Sequence, residues 1–368
     1  VGGYTATEVM DQLHMVHGSR MVAFRHELLN KDDGLLGELD QVTGSISYNS
    51  LAEIKRTGQY AIGRPVADEI DWTNERIRSY FRLRMPDGQW AEWPQGILLL
   101  SSPTRKEGNK GRTEREVEAY DKAQILREDC FMSRHVVAAG TNYVQAVTAI
   151  INSAGIGKVR ITDSEAVLAA PVEFEPGSSK LLAVNTLLAA INYQSLTFDA
   201  MGYAVAAPYV EPGARAVDYE YRTNQISVIR PGAEESLDLF GVPNVFVRVV
   251  SRPDRDPLVS TYANDNAASP LSTVVRGRSI VDYQAVEDIA DQPTLDAYTR
   301  RQAINTGQIF GEIGFSTAIM PHHDYLDCFF IEHTGMGIAD IYIETSWSMD
   351  LATGGEMTHN ARKVVQLG

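Results

Sequence analysis

The sequence predicts an α+β protein, mainly β, in which two β domains flank a small α/β insert. Three observations lead there. Period-two alternation of apolar and polar side chains dominates both ends of the chain, as in Arg76–Met85 and Ile341–Leu351. Helical periodicity with capping residues is confined to a middle stretch that begins near residue 139. A proline-spaced segment, Pro208–Gly213, then marks the exit from it. At 368 residues the chain is also longer than one ordinary core fills. The expected limits are an N-terminal arm or helix at 1–19, a first β domain at 20–138, the insert at 139–212 and a second β domain at 213–368, the last with a helix near 293–305.

Residues 5–18 suit a short helix or an arm. Met21–Leu29, a polar turn at 30–34 and Leu35–Val42 read as a hairpin, and Gly44–Tyr48 and Gln59–Ile62 are the next strand candidates. In Arg76–Met85 the residues Ile77, Ser79, Phe81, Leu83 and Met85 share one face. Pro86-Asp87-Gly88 turns the chain, and Gln89–Leu100 returns it. Thr141 is placed to cap a helix over Asn142–Ala154, and Ser178 or Ser179 a second whose buried stripe is Leu181, Val184, Leu188 and Ile191. A hairpin, Gln194–Phe198 to Tyr203–Ala206, completes the insert. Beyond it, Asn244–Val250 is a dense apolar strand. Pro253, Pro257 and Asn264–Ser269 mark a long loop, and Pro293 opens a helix. Glu312–Met320, Leu326–Glu332 and Ile341–Leu351 are strands. In the last, Ile341, Ile343, Thr345, Trp347, Met349 and Leu351 alternate with Tyr342, Glu344, Ser346, Ser348 and Asp350.

Composition narrows the functions. A hydrophobic fraction of 44% with 22% charged residues is that of a packed globular protein. No stretch approaches the roughly 18 apolar residues that span a bilayer, so no membrane segment is expected. The N-terminal residues show no secretory signal pattern. Acidic residues outnumber basic ones 48 to 33, a net charge of −15, which argues against stable nucleic-acid binding and suits a surface past which DNA slides. Cys130 and Cys328 stand in unrelated contexts and are expected as reduced core thiols.

Complete catalytic motifs are absent: neither HExxH nor Gly-x-Ser-x-Gly occurs. Gly155-Ile156-Gly157-Lys158 fails as a phosphate loop, because Asn152 replaces its leading Gly and Val159 its Ser or Thr. The most ligand-rich window holds His322, His323, Asp324, Asp327 and Cys328. Adjacent histidines on a strand point to opposite faces, so a polar loop is expected rather than a zinc site. His333, Asp340 and His359 join such a site only through the fold. His14 and His17, three apart on the N-terminal helix, read as a surface or interface pair. No cofactor and no metal are expected. The unusual charged feature is a ladder of Arg76, Arg78, Arg82 and Arg84, matched by an acidic row at Glu114, Glu116 and Glu118. It reads either as a solvated strand face or as rows that pair across strands or across a subunit boundary, which makes these seven the candidate interface residues.

Several phrases, taken in order, resemble the baseplate and tail-tip hub family of phage tails. They are Leu36-Gly37-Glu38-Leu39-Asp40-Gln41-Val42-Thr43-Gly44-Ser45-Ile46-Ser47, then Asp71-Trp72 with Arg76-Ile77-Arg78, then Trp93-Pro94-Gln95-Gly96-Ile97-Leu98 and Ala119-Tyr120-Asp121-Lys122. Ile191-Asn192-Tyr193, Asp199–Gly202 and Pro243-Asn244-Val245 come after them. The resemblance spans about residues 36–350 and implies two tube-like antiparallel β-barrel domains per subunit with an α/β insert. It further implies a non-enzymatic virion protein at the distal end of a tail, assembled in the host cytoplasm. As a homotrimer it would form a pseudo-six-fold ring and pass DNA during ejection. The implied partners are a distal tail protein or tail tube above, spike, fibre or tip proteins below, and a tape measure protein in the lumen. Two alternatives stand beside it: a hexameric distal tail protein or other ring component, and a metal-dependent hydrolase built on His322, His323 and Asp327.

Overall fold

The computed structural model describes residues 3–364, apart from 17, 65, 108–112, 238–239, 253–254, 287–288, 290 and 308–310. It begins with helix α1 (Ala6–Leu13), capped by a reciprocal pair in which Thr5 accepts from the Glu8 amide and Glu8 from the Thr5 amide. Val9 and Leu13 bury its inner stripe. His17, the second member of the expected histidine pair, lies outside the described residues.

Alternation then makes eight strands in succession: β1 (Val22–Leu29), β2 (Leu35–Glu38), β3 (Val42–Asn49), β4 (Arg56–Gly63), β5 (Arg76–Arg84), β6 (Trp90–Leu100), β7 (Thr104–Glu107) and β8 (Thr113–Tyr120). Strands β5 and β6 are the hairpin expected from the sequence, with Ile77, Ser79, Phe81 and Leu83 buried. The strand expected at Leu35–Val42 is instead broken. Gln41 takes a left-handed conformation at φ 58°, so β2 stops at Glu38 and β3 starts at Val42.

The middle of the chain supplies α2 (Ala123–Glu128), β9 (His135–Val137), α3 (Tyr143–Ser153), β10 (Val159–Ile161), β11 (Val172–Phe174), α4 (Lys180–Ala190), β12 (Thr197–Phe198) and β13 (Ala204–Ala206). The cap of α3 is Asn142 rather than Thr141: its side chain accepts from the Gln145 amide at 3.1 Å. Ser179 caps α4. Leu126, Val147, Ile151, Leu181, Leu187 and Phe198 join one apolar core here, each near-complete burial contributing about 1.5–3 kcal/mol.

The remainder returns to strands: β14 (Tyr219–Arg222), β15 (Glu234–Leu237), β16 (Val245–Arg252), β17 (Arg255–Ala263), β18 (Val281–Ala285), β19 (Gly311–Ala318), β20 (Cys328–His333), β21 (Ile338–Asp350) and β22 (Glu356–Lys363), with helices α5 (Thr273–Arg276) and α6 (Gln292–Gly307). The loop expected around Pro257 is largely strand. The pairing of β16 with β17 shifts register between Val250 and Arg252, beside Pro257, where a residue without an N–H is tolerated.

The chain is mainly β, with 42% of residues in strands and 19% in helices. The early and late strands do not form separate sheets. One path runs β15-β19-β22-β21-β3-β4-β8-β6-β5-β1-β2, and its two halves join where Ser346–Asp350 of β21 pair with Ser45–Asn49 of β3. Ile46, Tyr48, Phe81, Phe315, Phe329 and Trp347 accordingly share one core. No closed barrel is detected among the described strands. Strands β17-β16-β18 form a separate sheet, one face of which is covered by α6.

His26 sits inside this β core, its Nδ1 2.9 Å from the Ser79 hydroxyl, and burial holds its pKa down to about 4. In the unfolded chain the imidazole takes up a proton as the pH falls through its ordinary 6.5, whereas in the fold it stays neutral until about 4. Stability from this group is therefore complete above pH 6.5 and is lost progressively down to about pH 4. At 1.36 kcal/mol per unit the loss is on the order of 3 kcal/mol. Urea unfolding of His26→Asn between pH 7 and pH 4.5 is expected to lose this part of the slope; a slope equal to that of the unsubstituted protein counts against it.

Candidate functional site

Three features compete as sites: the charged rows, the histidine window and the uncovered edges of the sheets. The arginines of β5 find their carboxylates close by. Arg78 donates through Nε and Nη2 to Glu27 of β1, at 2.8 and 2.5 Å. Arg82 lies 2.6 Å from Glu92 of β6, and Arg76 donates to Asp33 in the β1–β2 turn at 2.8 Å. Arg84 is exposed and lies over the Trp90 ring. The acidic row is elsewhere. Glu114, Glu116 and Glu118 lie on β8, and β6 separates β8 from β5. Lys106 of β7 reaches Glu116, and the Tyr120 hydroxyl donates to Glu118. Within one chain the two rows therefore do not meet, contrary to one expectation from the sequence. Glu116 and Glu118 are exposed, beside a polar groove of about 500 Å3 lined also by Ser45, Gln59 and Thr104.

Asp33 has a further role. Besides Arg76 it accepts from Lys122 at 2.6 Å and lies 2.9 Å from Lys158, so a single turn residue ties the first sheet to the α/β region. Burial pushes its carboxyl up, yet the two lysines outweigh that and hold it below the ordinary range.

The histidine window is not a strand. His322 and His323 lie in a turn with their rings stacked 5.4 Å apart, and Asp327 accepts from the Asp324 amide at 2.7 Å. His322, His323 and Asp327 do not bring three ligand atoms together. His323 instead meets two residues far away in sequence. Its Nδ1 lies 2.6 Å from one Glu344 oxygen, and the His359 Nδ1 lies 2.6 Å from the other. Outward, the Tyr221 hydroxyl contacts His323 Nε2 and the Thr317 hydroxyl lies 2.9 Å from His359 Nε2. All three central side chains are buried. Burial lowers both histidines, His323 to about 4, and raises Glu344. The His–Glu contacts are thus hydrogen bonds from neutral rings rather than ion pairs. Burial also pushes Asp327 up to about 6. His333 and Asp340 stay apart from this group: Asp340 instead pairs with Lys363 at 2.6 Å.

Strict alternation would turn Glu344 outward, on the face opposite Ile343 and Trp347. The structure turns it inward, because the pairing of β21 with β22 shifts register between Glu344 and Ser346. Tyr342 and Glu344 face the core before that bulge, Trp347 and Met349 after it.

Uncovered edges remain. Strands β2 and β15 end the long sheet path, and Leu35, Leu36 and Leu237 are more than half exposed on them. On the small sheet, the face away from α6 shows Val259, Val281 and Tyr283, exposed by 53%, 57% and 64%. Free strand edges and bare apolar faces of this kind are what assemblies cover.

No protein-family model matches the chain, and no curated protein matches it in sequence. Solved structures do. A tail protein from Neisseria meningitidis MC58 superposes with a TM-score of 0.66 at 13% identity, over 92% of this chain and 96% of that one. The fold is that of phage tail proteins. The 43 kDa tail protein of prophage MuSo2 from Shewanella oneidensis gives 0.64 at 10% identity, covering 95% and 98%. A chain of the lidded PdpA–VgrG complex from Francisella gives 0.54 at 7%, covering 94% of this chain and 53% of that one.

The ion-pair assignment is testable in this tail-protein fold. Arg78→Glu leaves the buried Glu27 beside a like charge and is expected to lower unfolding free energy by about 3 kcal/mol. Adding Glu27→Arg should restore part of the loss, whereas reversing Glu116 and Glu118 should restore none. Recovery by the second pair of reversals, read in denaturant unfolding, would refute the assignment.

Proposed function

We propose that this chain is the structural hub at the distal end of a phage tail. The observation that supports the reading most is the likeness of nearly its whole length to tail proteins of matching length. Three copies would form a ring in which each contributes two β halves, giving the pseudo-six-fold symmetry needed between a hexameric tail tube and a three-fold tip. Head-to-tail closure suits a chain whose sheet path ends in two different free edges, β2 and β15, because each can satisfy the other's backbone groups on the next copy. A permanent interface of this type buries more than roughly 2,000 Å2 in total. Arg84, Glu116 and Glu118 are the members of the charged rows proposed to line the subunit boundary. Arg76, Arg78 and Arg82 are committed within the chain, and Glu114 is half-buried.

The net charge of −15 suits a lumen that DNA traverses without being captured. The proposed neighbours are a distal tail protein or tail tube above, spike, fibre or tip proteins below, and a tape measure protein inside. The likeness to a chain of the PdpA–VgrG complex supports assembly with other proteins. The proposed role is structural and non-enzymatic: His322, His323 and Asp327, the trio a hydrolase would use, do not bring three ligand atoms together. Native mass spectrometry of the purified protein is expected to find a trimer. A hexamer would move the reading to a distal tail protein, and a stable monomer under assembly conditions would end the hub reading.

A further inference from the structure

We propose that His323, Glu344 and His359 form a binding site for a first-row divalent cation, with zinc the ion that suits them best. The inference stands apart from the hub reading, since it concerns the interior of one chain. Three donors from three places, the turn before β20, strand β21 and strand β22, bring their ligand atoms within 4.8 Å of one another. Both imidazoles aim Nδ1 at the same carboxylate. Two neutral nitrogens and a carboxylate are the donor types zinc prefers, and a carboxylate bound through both oxygens completes four coordinating atoms.

The outer contacts match what a metal site requires. A ligating histidine is oriented by a hydrogen bond from its other nitrogen. Here Tyr221 and Thr317 place a hydroxyl at each Nε2, and a hydroxyl oxygen can accept an N–H there. Each ring then carries its proton on Nε2 and offers the Nδ1 lone pair inward. Both rings change tautomer on loading. The walls are apolar: Tyr221 stacks over His323, and Phe315 stacks on His359 at 4.7 Å.

Charge provides the driving force. Glu344 is 2% exposed, and no lysine or arginine forms an ion pair with it among the described residues. A buried carboxylate without a counter-charge is unfavourable by several kcal/mol, and a dication would supply one. The present 2.6 Å contacts are hydrogen bonds. Metal–donor distances of about 2.0–2.2 Å set a histidine nitrogen and a carboxylate oxygen roughly 3.3 Å apart, so loading opens each His–Glu contact by under about 1 Å. The ion would pin β21 to β22 and to the turn carrying His323.

The experiment uses the untagged full chain. Elemental analysis after refolding with zinc and gel filtration is expected to find about one zinc per chain, and chelation should lower the melting temperature. Refolding with cobalt(II) should give the visible absorption of a tetrahedral N/O site. Glu344→Gln keeps a hydrogen-bonding group between the rings but removes the charge, and is expected to retain less than about a tenth of the metal. Refolded wild-type protein without bound zinc, with a melting temperature indifferent to chelator, would overturn the proposal. So would full zinc retention by Glu344→Gln, which would place the ion elsewhere. Should that variant not fold, the cobalt spectrum of the wild-type chain decides: no tetrahedral absorption overturns it.

Discussion

The long sheet of this fold depends on the pairing of β21 with β3. Five residue pairs, Ser346↔Asn49 to Asp350↔Ser45, join segments some 300 positions apart and turn two sets of strands into one sheet path. The join is reinforced by aromatic stacking. Trp347 lies on Tyr48 at 5.8 Å, and the Tyr48 hydroxyl reaches Thr197 of the α/β region. Early strands, late strands and insert thus meet at one pair of rings. Closing so long a loop is entropically unfavourable, but that loss grows only logarithmically with length, so a well-packed junction offsets it.

The same economy governs charge. A chain with 81 acidic and basic side chains could present them all to solvent. Instead Glu27, Asp33 and Glu92 draw three arginines of β5 back onto their own sheet. Asp33 gathers Arg76, Lys122 and Lys158, and so sets where the insert sits. These half-buried pairs specify geometry more than they add stability, because desolvation consumes much of their attraction. The edges of β2 and β15 and the apolar face of the small sheet are left uncovered within the chain.

The buried His–Glu–His group arises from a single irregularity. Without the bulge after Glu344, its carboxylate would lie on the other face of β21 and the two histidines would have no common partner. A one-residue shift exchanges the two faces of a strand, so one bulge changes the chemistry of a core.

Local features were legible in the sequence because their causes are local. The β5–β6 hairpin needed only alternation and a Pro-Asp-Gly turn, α4 its serine cap, and the mainly β character the sum of many such segments. Cap and strand limits moved by a residue or more where a side chain chose differently, as Asn142 did over Thr141. Strand β17 was hidden by Pro257, whose missing N–H the register shift absorbs, and four-residue strands such as β14 and β15 are too short for periodicity to register. Which carboxylates the arginine ladder would meet, which strand β21 would join, and where Glu344 would point were decided only in three dimensions. Each depends on a partner distant in sequence, and alternation states which face a residue occupies, not what lies opposite it.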